Sequence, residues 1–384
     1  MFVVGRIIVG IGAELSSAAA PTLVAEVLPT NLRGPILGSF WGMFFAGGII
    51  ASGINYGTRF IESTWSWRIP SIIQMVPSAL AMLLLPFIPE SPRWLVAQGQ
   101  HDHALEVLTV FHGKGDPDSA DVKIIFDEIE AVLASEAAAY SHNPWLELVS
   151  TPANRRRLAI VITFGTMIQM LGNFVVSYYL IDILNQAGIT NTSTQLQINL
   201  ILNCWCFVIS QIGAVMLDIL GRRPQTLIGI VGMIVSLYML GGLISKYGTS
   251  DNHSGIYGSI ACIFLFQGFL AFSITPTTAL YPTEIFPYKL RNTGIAVFRM
   301  LDTGFGLMAS FVLSFAMANL GWKFYIINAS YDLIFLVAVY FLWVETKGVH
   351  LEEIAVRFGD AQVVTGLSEH NSTVEEHPVN AKGI

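Results

Sequence analysis

The sequence predicts an all-α polytopic membrane protein, on three observations. Only 12% of the 384 residues are charged and 53% are hydrophobic, with a mean hydropathy of +0.59; soluble globular chains carry about 25% charged residues. Apolar windows near the ~20 residues that cross about 30 Å of hydrocarbon recur along the chain. A Glu-x-x-Pro-x-x-x-Arg stretch follows an apolar run twice, at Glu26 to Arg33 and at Glu284 to Arg291, with Gly34 and Gly294 close behind. Copies so far apart exceed any solenoid period and predict two homologous halves, each several helices long.

In chain order, nine spans are expected: residues 2–24, 36–57, 69–88, 158–181, 196–219, 225–245, 256–282, 294–316 and 322–344. Gly10, Gly12, Pro21, Gly47, Gly48 and Pro276 fall inside them, as membrane helices tolerate. Small residues such as Ser16 and Ala18 let helix backbones approach closely. The one long interruption, 89–157, is amphipathic and charged, with short surface helices expected over 101–112 and 120–139. The domain reading is therefore a partial N-terminal bundle of three helices over 1–88 and a cytosolic linker over 89–157. A six-helix bundle over 158–344 and a cytosolic tail over 345–384 complete it, the tail polar and disordered from 355.

Orientation follows from Lys and Arg. With the linker inside, 14 of them fall in inner segments and four (Arg59, Arg68, Lys246, Lys323) in outer ones. That is the positive-inside bias, weakened because a long linker supplies many of the 14. The C-terminus is then cytosolic. The chain opens without a basic n-region, so no signal peptide is expected. Cys204, Cys206 and Cys262 lie in apolar runs and read as inert core thiols. No metal cluster, phosphate loop or nucleophile–His arrangement is present, which argues against an enzyme and against a cofactor. Sequons at Asn191 and Asn252 fall in outer loops; those at Asn328 and Asn371 should stay unmodified.

Five motifs then stand in order: Gly5-Arg6 with Gly10 and Gly12; Glu26 to Gly34; Pro89-Glu90-Ser91-Pro92-Arg93; Asp218-x-x-Gly221-Arg222-Arg223; and Glu345-Thr346-Lys347-Gly348 with Leu351-Glu352-Glu353. In this order and spacing they resemble the sugar porter family of the major facilitator superfamily. Gln169 to Asn173, followed by Ser177-Tyr178-Tyr179-Leu180, is most similar to the fungal lactose and cellodextrin permease branch. The resemblance implies a major facilitator fold. The offset from Asp218 to Glu284, carried back from Glu26, falls ahead of Met1, so the N-terminal bundle is expected to be incomplete, lacking its first three helices.

The resemblance further implies a gating salt-bridge network at the cytosolic helix ends. Asp218, Arg222, Arg223, Glu284 and Arg291 would form one half of it, and Glu26, Arg33, Glu90 and Arg93 its twin. Charges at a membrane–water boundary suit that task, strong enough to latch and wet enough to release. For the substrate, Gln169 and Asn173 share a helix face at i, i+4, and the polar–aromatic stripe continues to Tyr178. Asn199, Asn203, Gln195 and Gln211 are the polar candidates of the next helix, with helix packing as an equal alternative. The tryptophan that relatives carry five residues before the second repeat Glu is Ala279, with Thr278 and Tyr281 as the nearest replacements. Asp302, with Arg299 at i, i+3, is an ionisable pair at membrane depth, a functional hypothesis by default. Asp302 either meets substrate or a proton, or is held structurally by Arg299. Glu14 reads as a packed or water-reached oddity.

The expected function is transmembrane transport of a mono- or disaccharide, lactose- or cellobiose-like, by alternating access, with or without carbohydrate:proton symport. The expected partners are the sugar, protons and the lipid bilayer, with no nucleic acid, in a monomer at the plasma membrane. A membrane sugar sensor and a transport-inactive short form are the alternatives.

Overall fold

A computed structural model of the chain describes residues 2–116, 119–139, 143–173, 180–186, 189–247, 253–348, 354 and 357–359. The first part contains α1 (Phe2–Val27), α2 (Thr30–Phe40), α3 (Gly42–Thr58), α4 (Trp65–Ile73) and α5 (Met75–Leu84). Short helices α6 (Pro92–Ala97), α7 (His101–Phe111), α8 (Ala120–Ala139) and α9 (Pro144–Ser150) follow. The remainder is α10 (Pro152–Met170), α11 (Leu180–Gln186), α12 (Thr192–Leu220), α13 (Arg222–Tyr247), α14 (His253–Ile285), α15 (Tyr288–Leu320) and α16 (Lys323–Leu342).

Among the described residues, eight helical runs are long and apolar enough to cross a membrane. They correspond to eight of the nine expected spans. In the expected span at 158–181, α10 covers the first part, and 174–179 lie outside the described residues. The run over Trp65–Phe87 is broken between α4 and α5 at Gln74. Pro77 explains the break, since a proline has no N–H to donate and clashes with the carbonyl four residues back.

The main core lies in the second part, where α14 packs on α12 and α13, and α10 on α15 and α16. Phe164, Tyr281 and Trp343 form an aromatic knot there, Tyr281 stacked on Trp343 at 4.3 Å. The linker helices α6, α7 and α8 bury a separate small core of Leu95, Val96, Ala104, Leu108, Val122 and Ile129.

Small residues bring the two parts together. Gly34, Gly38 and Gly42 stand four apart along α2 and the start of α3, facing Asp218, Ala214 and Ser210 of α12. A Cβ at Gly38 would stand 3.1 Å from that of Ala214, so these helices meet nearly backbone to backbone.

Candidate functional site

A cavity of about 510 Å³ opens where α2 and α3 face α10, α12, α14 and α15. Its wall includes five of the six residues singled out from sequence: Gln169, Asn173, Asn203, Thr278 and Asp302. The sixth, Tyr178, lies outside the described residues. The i, i+4 spacing of Gln169 and Asn173 thus does bring both amides to one space, although α10 stops between them.

Asp302 is the most heavily engaged of these groups. Its Oδ1 accepts from Gln169 Nε2 at 2.6 Å and its Oδ2 pairs with Arg299 Nη1 at 2.9 Å. The i, i+3 pair expected from sequence therefore forms, within a larger group. Arg299 also reaches Glu14 Oε2 at 3.6 Å and Ser17 Oγ at 3.2 Å, and its guanidinium lies 4.8 Å from the centre of the Trp41 ring. One cation thus serves carboxylates from α1 and α15. Glu14 also accepts from Thr303 Oγ1 at 3.2 Å. Gln169 Oε1 is buried with no partner among the described residues, a free acceptor on a residue of the wall.

On the far wall, Asn203 Nδ2 donates to the Asn199 carbonyl at 2.9 Å and to Ser52 Oγ of α3 at 3.4 Å. Thr278 turns its hydroxyl back to the Ile274 carbonyl, 2.7 Å away, and keeps its oxygen as an acceptor. One expectation fails here, and for two residues the packing alternative holds. Gln195 donates to Asn185 and to the Ile189 carbonyl, and Gln211 packs against Gly42; neither lines the cavity. Tyr281 cannot replace a stacking plate, because it is fully buried in the aromatic knot and donates to the Val344 carbonyl at 2.9 Å.

The wall also holds residues that sequence reasoning missed: Trp41, Phe44 and Phe45 from the first part, and Gln267 from α14. Trp41 stands at the junction of α2 and α3, in a mostly apolar stretch. No periodicity reports which way it faces.

The second repeat and the Asp218 motif meet at the linker end of the helices. Arg222 sends Nη2 to Glu284 Oε1 at 2.8 Å and Nε to Oε2 at 3.2 Å, a two-pronged contact, and Nη1 to Asp218 Oδ1 at 3.0 Å. Thr346 donates to Glu284 at 2.5 Å. Glu345 accepts from the backbone N–H groups of Arg222 and Arg223, both at 3.0 Å, capping the start of α13 with negative charge. Arg223 donates to the Tyr340 carbonyl and lies over that ring.

The expected division into two self-contained networks is corrected by Arg291. Its Nη1 lies 2.6 Å from Glu26 Oε1, a buried pair that joins the second repeat to the first. Ser91 donates to the other oxygen of Glu26. Glu284 is already held by Arg222, so Glu26 is the acceptor that takes Arg291. Arg33 is half-buried and Arg93 buried, whereas Glu90 is exposed to solvent. His112, just past the end of α7, ties the linker to this end, its Nε2 3.2 Å from the Val27 carbonyl. Burial holds its pKa below the ordinary histidine value.

Two halves meeting at a polar cavity, with one end closed by ion pairs, define a multi-pass membrane carrier of the major facilitator class. The family described as "Sugar (and other) transporter" matches residues 1–358, and the chain belongs to it. High-affinity glucose transporter 1 of Candida albicans is 31% identical over 380 residues, covering 92% of this chain and 67% of that protein. The high-affinity glucose transporter of Kluyveromyces lactis is 29% identical over 377 residues, with the same coverage. Among solved structures, the proton:xylose symporter XylE bound to 6-bromo-6-deoxy-D-glucose matches with a TM-score of 0.81 at 22% identity. That match covers 93% of this chain and 74% of XylE.

Proposed function

We propose that this sugar transporter carries a mono- or disaccharide through the cavity by alternating access, coupled to protons, in the plasma membrane with its C-terminus cytosolic. The carrying observation is the wall itself: amides, a hydroxyl and a carboxylate face an aromatic plate across a space of about 510 Å³. That is within the roughly 300–1,000 Å³ of small-ligand sites. Sugar hydroxyls need directional donors and acceptors, and sugar rings need a flat apolar face.

In this reading Gln169, Asn173, Tyr178, Asn203, Thr278 and Asp302 meet the hydroxyls. Trp41 supplies the stacking surface that Ala279 cannot. The buried Glu26–Arg291 pair holds the cytosolic end shut while the cavity faces outward, and the Arg222–Glu284–Asp218 group braces the second half beside it. The glucose transporters among the relatives favour a hexose; the lactose and cellodextrin likeness of 169–180 favours a disaccharide. The chain works as a monomer in the lipid bilayer and catalyses no covalent chemistry.

Expression in a cell lacking its own sugar carriers tests this, with uptake of labelled glucose, xylose, lactose and cellobiose measured against pH. Saturable uptake of at least one sugar is expected. Asp302→Asn is expected to lower uptake at least about tenfold, the loss of roughly 1.4 kcal/mol of binding to a charged acceptor, or to abolish its pH dependence. Wild-type behaviour in both would remove Asp302 from the substrate and proton roles.

A further inference from the structure

The wall residue Gln169 sits at the end of α10, and Asn173 lies just beyond it, so the way α10 ends sets where two of the site's amides stand. The helix stops at Met170; Leu171 closes the last turn and Gly172 takes φ +91°. A helix end leaves carbonyls without partners inside the helix. In hydrocarbon a bare carbonyl costs several kcal/mol.

Here one such carbonyl, that of Met170, is taken by two side chains of α16. Tyr331 donates its hydroxyl at 2.8 Å and Asn328 its Nδ2 at 3.2 Å. The same Nδ2 lies 3.0 Å from each carboxylate oxygen of Asp332, one turn further on. Asn328 is 1% exposed and Asp332 0%. A buried carboxylate is ordinarily matched by a cation or a metal. Among the described residues Asp332 has no ion pair, and its oxygens converge on one amide. The break is fitted to this bracket, since a Cβ at Gly172 would stand 2.8 Å from Asn328 Oδ1.

We propose that Asn328, Tyr331 and Asp332 are positioning residues of the sugar site: by bracketing the Met170 carbonyl they fix the broken end of α10, and with it the pose of Gln169 and Asn173. Asp332 acts through Asn328, holding the amide so that its Nδ2 reaches the Met170 carbonyl while its oxygen sits against Gly172. None of the three lines the cavity. The inference rests on the carrier reading above and adds a supporting shell to its site.

Two variants test it in the full chain. Tyr331→Phe removes one donor and keeps the ring. Asn328→Leu with Asp332→Leu removes amide and carboxylate together, so that no lone carboxylate stays buried. KM for uptake and maximal rate per surface molecule are measured in cells. Backbone hydrogen exchange at 168–173 is measured on protein in lipid nanodiscs. Tyr331→Phe is expected to raise KM about threefold and the double variant about tenfold, the range one or two lost hydrogen bonds supply. The rate per molecule should change less, and exchange at 168–173 should rise in both variants. Asp332→Asn, which keeps an acceptor for Asn328, should restore most of the wild-type KM. Unchanged exchange overturns the bracket. Raised exchange with an unmoved KM overturns the positioning role and leaves a packing brace. A wild-type chain that takes up no sugar sinks the carrier reading instead, and the exchange result alone then decides the bracket.

Discussion

The two copies of Glu-x-x-Pro-x-x-x-Arg share a pattern and solve it differently. Glu284 is held inside its own half, by the guanidinium fork of Arg222 and by Thr346. Glu26 is held by Ser91 on its own side and, across to the second half, by Arg291 of the other copy. One copy is therefore internal reinforcement and the other is a lock between halves. A contact inside a rigid half persists through any rocking motion, whereas a contact between halves must break for the cavity to open on that side. On the proposed carrier reading, conformational control falls to Glu26–Arg291 and integrity of the second half to Arg222–Glu284.

The largest effect should come from breaking the internal group. Glu284→Gln leaves Arg222 buried with only the half-exposed Asp218 beside it. Stranding a buried charge costs about 3–5 kcal/mol. The expected outcome is a drop of many degrees in the melting temperature of purified protein together with near-complete loss of uptake. A stable, inactive Glu284→Gln protein would make this copy a moving latch as well, and erase the distinction.

The lock should behave otherwise. Glu26→Gln should cut uptake per molecule about tenfold, the effect of ~1.4 kcal/mol on the balance of two states, with little change in melting temperature. The swap Glu26→Arg with Arg291→Glu should recover part of that activity, because the pair is re-formed with reversed charge. No recovery, with both proteins at the membrane, would mean that each residue serves its own half.

The smallest effect concerns the anchor of the first copy. His112 docks on the Val27 carbonyl beside Glu26, with its pKa lowered chiefly by burial. A histidine lowered in the folded state binds fewer protons there than when released. The stability of this docking is therefore full above the ordinary histidine range and falls as pH drops through it. Acidifying the linker side should raise hydrogen exchange across 108–112, and His112→Gln should remove that pH response. A response that survives the substitution would move the titration to another group.

Much of this architecture was legible in the residues, and the limits have a physical cause. Hydropathy located the spans because crossing hydrocarbon demands about 20 apolar residues whatever the packing. The Arg299–Asp302 pair was legible because i, i+3 neighbours meet within one helix, whereas Gln169 and Asn173 reach one cavity although α10 ends between them. Facing was not legible. A lipid-embedded helix is apolar all round, so no amphipathic stripe says that Trp41 and Gln267 look into the cavity while Tyr281 looks into the aromatic knot. The bracket of Asn328, Tyr331 and Asp332 was invisible for a related reason. Its target is a backbone carbonyl of another helix, which leaves no trace in residue type.

By itself, then, the sequence determined the class of protein, the duplication, and which charges stand at the linker end. These depend on composition and on spacing within single helices. Only the tertiary structure decided that Arg291 turns to Glu26, that Arg299 serves both Glu14 and Asp302, and that α16 holds the broken end of α10. Each of those choices lies between chemically equivalent partners on different helices, and only the packing of the helices brings one within reach.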